Sequence, residues 1–484
     1  MCKTRNLGRW IAAILLVGLL LAEIVTWVKG RLEVDSIPDE QKIARSLEII
    51  RTSSASNRQV LKVLFYGQSI TGSGWHEAVV EHWKDKYPNT IFVVQNRALG
   101  GFDAKALERT TEQDIAAFYP DLIIFHVYGD HRAYERIVRI LRSRTAADVI
   151  VQTDHGEVLP DPRCVEGVQL TLHSQPGCAG ILWKHQRMWM DEMSYHIIPA
   201  LARKYGLALE PQRKWWRDYL IRTNTDPKSM LADDIHPNAK GKALIAEFFN
   251  TYFDNMVDNW NGQKEQNVSS ITANTSSDTK NGAEIIRFDG SRIEMLSRQP
   301  LAVWPIVTID AASPNKIKGC FQVSRASSIG TVADWPAVRR IELLDHRVAQ
   351  DWSLTITRVS SDQKAFDFTV KGSITGYDGN GTSTQDFISR TQQFRIEPDD
   401  WMVERAFVKS HLPLIAPFEV RWAVAYICGG EPEVIHDGNG EAVQYRYVLG
   451  TGLPSGSHTV RLLWPKDILV HVTEYRVYRP SLAE

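Results

Sequence analysis

The stretch Lys62–Trp75 reads KVLFYGQSITGSGW. Its first half is a short apolar run, the pattern of a strand buried on both faces. Gly67 breaks the run, a serine follows at 69, and a helical pattern begins after Gly74. A tight turn of this kind lifts the Ser69 hydroxyl above the end of a sheet. The amides that open the next helix then stand beside it and can stabilise negative charge. Taken alone, the same serine is equally suited to capping a helix.

The neighbouring sequence repeats the pattern. Apolar runs recur as TIFVVQN (90–96), DLIIFHV (121–127) and DVIVQT (148–153). Between them lie the helix-period segments HEAVVEHWKDKY, LERTTEQDIAAFY and YERIVRILRSR, and AKGKALIAEFFNTYFDNM closes the series. Strands apolar on both faces, alternating with helices, predict an α/β domain over 59–258: a parallel sheet between two helix layers. Binding residues in such sheets collect at the carboxyl ends of the strands. Those ends carry Ser69, the stretch Asn96–Gly101, the pair Asp130–His131 and the pair Asp154–His155. Before the last helix stands DDIHPNAKG, residues 233–241. A carboxylate at Asp233 is spaced to hold the imidazole of His236 in one tautomer, with Asp234 as the rival orienter. Pro237 stiffens the turn.

Taken in order, these blocks resemble the SGNH or GDSL-like hydrolase family over roughly residues 60–255. GQSIT (67–71) stands where that family has its Gly-Asp-Ser block. NRALGG (96–101) stands where it has a block ending in an oxyanion-hole glycine. PDLIIFHVYGDH (120–131) occupies the third block and DDIHPNAKG the last. The resemblance implies a three-layer, flavodoxin-like sheet domain. It implies Ser69 as nucleophile, His236 as base and Asp233 as its orienter. The oxyanion hole would be the amides of Ser69 and Gly101 plus a side chain of the third block. Alignment on Pro-Asp-Leu places Asp130 where the family has asparagine. An ionised carboxylate has no proton to donate, so Asp130 would serve only if burial raised its pKa. Gln68 likewise replaces the usual aspartate beside the nucleophile. Asn96, Gly100, His131, Asp154 and His155 are expected to line a polar substrate pocket. No cofactor and no metal is required.

The rest of the 484 residues sets the context. Net charge is -1, so no bulk field draws the chain to nucleic acid. Residues 1–30 place Lys3, Arg5 and Arg9 ahead of an apolar run from Trp10, the pattern of a signal anchor or signal peptide. Export of the remainder, with membrane attachment through this segment or release, is the expectation. Residues 31–58 are polar and partly helical in pattern and read as a spacer, and the Asn/Ser/Thr-rich 259–284 reads as a flexible linker. Residues 285–484 alternate polar and apolar positions between turn residues, which predicts an all-β, sandwich-like domain. Two DGNG runs, 378–381 and 437–440, read as tight turns. Cys164, Cys178, Cys320 and Cys428 allow two local disulfides, with connectivity open. The long segment from Gly156 to Trp183 is expected to wall the substrate site. The partner expected is an acylated carbohydrate or small ester. The sequence thus favours an extracytoplasmic serine esterase. The alternatives are an O-acyltransferase using the same residues and a non-catalytic surface or binding protein.

Overall fold

The computed structural model describes residues 37–156, 187–262, 267–273, 283–328, 335–465 and 471–482. The N-terminal segment expected to be a signal or anchor lies outside these residues. So do Cys164, Cys178 and all of the expected wall segment beyond Gly156. Among the described residues no helix is long and apolar enough to cross a membrane.

Five parallel strands form the central sheet: β1 (Gln59–Gly67), β2 (Thr90–Asn96), β3 (Leu122–His126), β4 (Asp148–Gln152) and β5 (Ala208–Glu210). Their order is β2-β1-β3-β4-β5, so the winding reverses at β1. Alternate residues of β1 face opposite cores, as a period of two requires. Leu61, Val63 and Phe65 pack with helices α1 (Ala44–Thr52), α2 (Trp75–Lys86), α6 (Gln212–Thr223) and α7 (Ala239–Asn259). Leu64 and Tyr66 pack with α3 (Ala104–Phe118), α4 (His131–Arg144) and α5 (Ile198–Tyr205). This is the expected three-layer α/β arrangement.

The expected spacer at 31–58 is corrected by α1. Ile43, Leu47 and Ile50 fall four and three residues apart, so one helix face is apolar, and all three are buried. The Ser46 amide and hydroxyl both donate to the Asp148 carboxylate, at 2.7 Å each. This segment is therefore part of the sheet domain's core.

Beyond α7 the described chain is β-rich, as expected, but it forms two interleaved units. One takes strands from both sides of the other: Val268–Thr272 and Arg292–Ser297 pair in one sheet with Glu433–His436, Ala442–Thr451 and Val472–Tyr478. The unit from Phe321 to Tyr426 is inserted between them, built on the antiparallel strands Gln350–Val359, Phe366–Gly372 and Phe418–Tyr426. The Cys320–Cys428 disulfide joins the two ends of this insertion. The expected linker 259–284 is also corrected in part. Val268–Thr272 is an edge strand on Val472–Tyr478. An edge strand needs only one backbone partner and tolerates polar side chains, so it leaves no hydrophobic period to read. The first DGNG run lies within the strand Gly376–Thr382, and the second makes the turn before Ala442.

The insertion packs directly on the sheet domain. One apolar core runs from Tyr66, Leu107 and Phe118 into Trp352, Leu354 and Trp422. At its edge the buried Asp114 carboxylate takes Arg97 at 3.2 Å, Arg325 at 2.8 and 2.9 Å, and the Tyr66 hydroxyl at 3.1 Å. Arg109 binds Asp400 and Glu397 across the same seam. A short helix of the insertion, α8 (Val403–Lys409), reaches the carboxyl end of the sheet.

Candidate active site

β1 ends beside β3 with no space between the backbones. A β-carbon on Gly67 would stand 1.9 Å from the His126 carbonyl oxygen, so only glycine fits. The chain then turns. The Gln68 amide donates to the same carbonyl at 3.3 Å, and a short turn at Thr71–Ser73 leads into α2. Ser69 sits at this turn, above the sheet end.

The histidine arrives from the loop before α7. The Asp233 carboxylate accepts from the Ile235 amide at 2.8 Å and the His236 amide at 2.7 Å. Its other oxygen meets His236 Nδ1 at 2.7 Å. These donors, the His236 amide foremost, hold the Asp233 carboxyl down at about 2, so it is ionised at neutral pH. With Nδ1 donating to Asp233, Nε2 is left to accept, and it lies 2.9 Å from Ser69 Oγ. Asn238 caps α7 through the Lys240 and Gly241 amides, which fixes the loop from its far side.

Beneath this loop lies a buried polar cluster. His155 is fully buried; its Nδ1 meets Asp154 Oδ1 at 2.8 Å and its Nε2 meets the Ile235 carbonyl at 2.8 Å. His126 Nε2 lies 3.3 Å from the same Asp154 oxygen. Burial alone would raise the Asp154 pKa; the imidazoles of His155 and His126 outweigh it and hold the carboxyl well below the usual range. Asp154 and His155 were expected in the pocket wall. They instead support the backbone next to His236 from the interior, with His155 bridging the Asp154 carboxylate and the Ile235 carbonyl.

Asp130 is likewise corrected. It is exposed, caps α4, and accepts from the Ala133 amide at 2.8 Å. That bond lowers its pKa, so it is a carboxylate and no oxyanion donor. The same residue type that replaces asparagine in the third block is a preferred helix cap. His131 is the first residue of α4 and is not among the residues lining the cavity at Ser69.

That cavity has a volume of about 800 Å³. Ser69, Asn96 and Gly100 line it from the sheet domain; Arg325, Trp335 and Lys409 line it from the insertion. Asn96 is half-buried and committed to the loop, donating to the Thr71 carbonyl at 2.9 Å and accepting from the Ala98 amide at 3.0 Å. Trp335 Nε1 donates to the Gly100 carbonyl at 3.1 Å, and its ring meets Phe102 edge-on at 5.1 Å. Arg405 donates to the Gly101 carbonyl at 2.9 Å. Sequence reasoning missed Arg325, Trp335, Arg405 and Lys409. They lie more than two hundred residues beyond Gly101, and no local pattern marks them.

The doubly wound sheet, the serine after its first strand and the Asp-x-x-His loop before its last helix stand in the order that the sequence resemblance implies. No family model matches the chain, and no curated protein matches it. Among solved structures the chain is similar to a two-domain esterase active on acetylated mannans, at 13% identity and TM-score 0.32, over 88% of this chain and 93% of that one. It is also similar to a catalytic mutant of an acetylxylan esterase from Geobacillus stearothermophilus, at 16% identity and TM-score 0.32, over 43% and 97%. A third is an alpha/beta hydrolase from the metagenome of Lake Arreo, Spain, at 17% identity and TM-score 0.30, over 42% and 96%.

Proposed function

We propose that the protein is a serine esterase that removes O-acyl groups from carbohydrate outside the cytoplasm. The observation that carries the reading is the hydrogen-bonded chain Asp233–His236–Ser69, at 2.7 and 2.9 Å, opening on a cavity of about 800 Å³. Ser69 Oγ attacks the acyl carbon while His236 Nε2 takes the hydroxyl proton. The imidazolium, steadied by Asp233, returns that proton to the departing sugar oxygen. Water then attacks the acyl-enzyme by the same route, releasing the carboxylic acid and restoring Ser69.

The oxyanion is assigned to the amides of Ser69 and Gly101. Neither has a backbone acceptor among the described residues. The Gly101 N–H belongs to the same planar peptide as the Gly100 carbonyl that Trp335 holds. In a trans peptide the two point oppositely, so fixing one aims the other. Donors placed before charge develops are each worth about 3 kcal/mol.

A polar lining around one tryptophan suits a sugar better than a long acyl chain. The Cys320–Cys428 disulfide supports an oxidising compartment. The test is acetate release from a short aryl acetate and from an acetylated oligosaccharide. Ser69→Ala is expected to lower kcat by about 10⁴-fold or more. Undiminished release by Ser69→Ala would remove the reading.

A further inference from the structure

The cavity at Ser69 is lined by cations from both the sheet domain and the insertion. Arg97, Arg325 and Lys409 line it, and its lining holds no acidic residue. Asp114 pairs with both guanidiniums, and among the described residues no carboxylate is paired with Lys409. Lys409 is exposed and close to the reacting group. A β-carbon on Gly100 would meet the Ser69 β-carbon at 3.8 Å and the Lys409 ammonium at 4.0 Å, so the two flank one glycine.

The placement of Lys409 has a second fixed point. Arg405 and Lys409 are four residues apart on α8 and share a face. Arg405 grips the Gly101 carbonyl, and a β-carbon on Gly101 would meet Lys409 Cε at 3.3 Å. Glu404, the acid of this helix, is one residue from Arg405 and so about 100° round the axis.

Arg97 and Arg325 also line an adjoining cavity of about 750 Å³ that crosses the insertion's sheet. Its other charged residues are Lys371, Arg421 and Asp351. Arg421 is paired with Glu419, yet cations still outnumber acids along both cavities. A cleft lined by one sign of charge concentrates ligands of the other.

We infer that the substrate is an acidic glycan, with Lys409 binding a carboxylate on the acyl-bearing sugar and the second cavity holding its neighbours. The inference rests on the esterase reading and adds the charge of the substrate. Two probes isolate that charge: a methyl O-acetyl-glucuronoside and the uncharged O-acetyl-glucoside of the same pattern. The native chain is expected to favour the uronate in kcat/KM by about fivefold or more, an advantage that shrinks as salt is raised. Lys409→Met is expected to bring the ratio of the two close to one, and Lys409→Arg to keep it above one. Equal kcat/KM values in the native chain, or a preference untouched by Lys409→Met, would overturn the inference. Binding of the two deacetylated glycosides to Ser69→Ala protein is measured alongside by calorimetry. A chain that hydrolyses neither ester loses the esterase reading, and the binding ratio then decides the charge preference by itself.

Discussion

At the scale of single residues, burial decides which charges the domain tolerates. Glu210 ends β5 fully buried, with Gln152 Nε2 at 2.8 Å. Burial pushes its carboxyl up to about 8. Between about pH 4 and pH 8 the unfolded chain releases a proton that the folded chain keeps, so the fold loses stability as pH rises through that window. Glu210→Gln removes the loss. Its melting temperature is expected to exceed the native value by roughly 2 °C or more at pH 8, with no gain at pH 4. An equal shift at both pH values would contradict the assignment. Asp130 shows the opposite environment. Exposed and bonded to the Ala133 amide, it is ionised, and the residue type alone had marked it as the site's weak point. Ser69, Asp233 and His236 were legible because each sits in a local motif with a chemical reason for its spacing. Asp154 and His155 were legible as a strand end, but their inward direction follows from packing that no local pattern records.

At the scale of elements, the Gly100–Gly101 turn is held from outside its own domain. Trp335 and Arg405 each bind one of its carbonyls. On the proposed oxyanion assignment Trp335 is a positioning residue, acting through the peptide that carries the Gly101 amide. Trp335→Phe keeps the ring against Phe102 and removes the N–H. The expected outcome is a loss of about tenfold or more in kcat on a small aryl acetate with KM little changed, since the oxyanion forms only after binding. A rise in KM at constant kcat would assign Trp335 to substrate binding instead. The strands and helices of the sheet domain were legible from period and turn chemistry. The helical pattern around α1 was legible but its packing into the core was not, and the edge strand Val268–Thr272 was hidden by the absence of any face to bury.

At the scale of the whole molecule, the chain encloses its serine with a unit inserted far downstream. The insertion shares a core with the sheet domain, is closed by Cys320–Cys428, and supplies Arg325, Trp335 and Lys409 to the cavity wall. Sequence showed that a β-rich region follows the α/β domain; that it folds back over the site depends on contacts hundreds of residues apart. The claim on which all else depends is that Ser69 is activated in this assembled chain. The most direct measurement is labelling of the intact protein with a fluorophosphonate probe, located by peptide mass spectrometry. One adduct is expected, on Ser69, lost in Ser69→Ala and strongly slowed in His236→Ala. No adduct on Ser69 in the folded chain, or labelling as fast without His236, would contradict it.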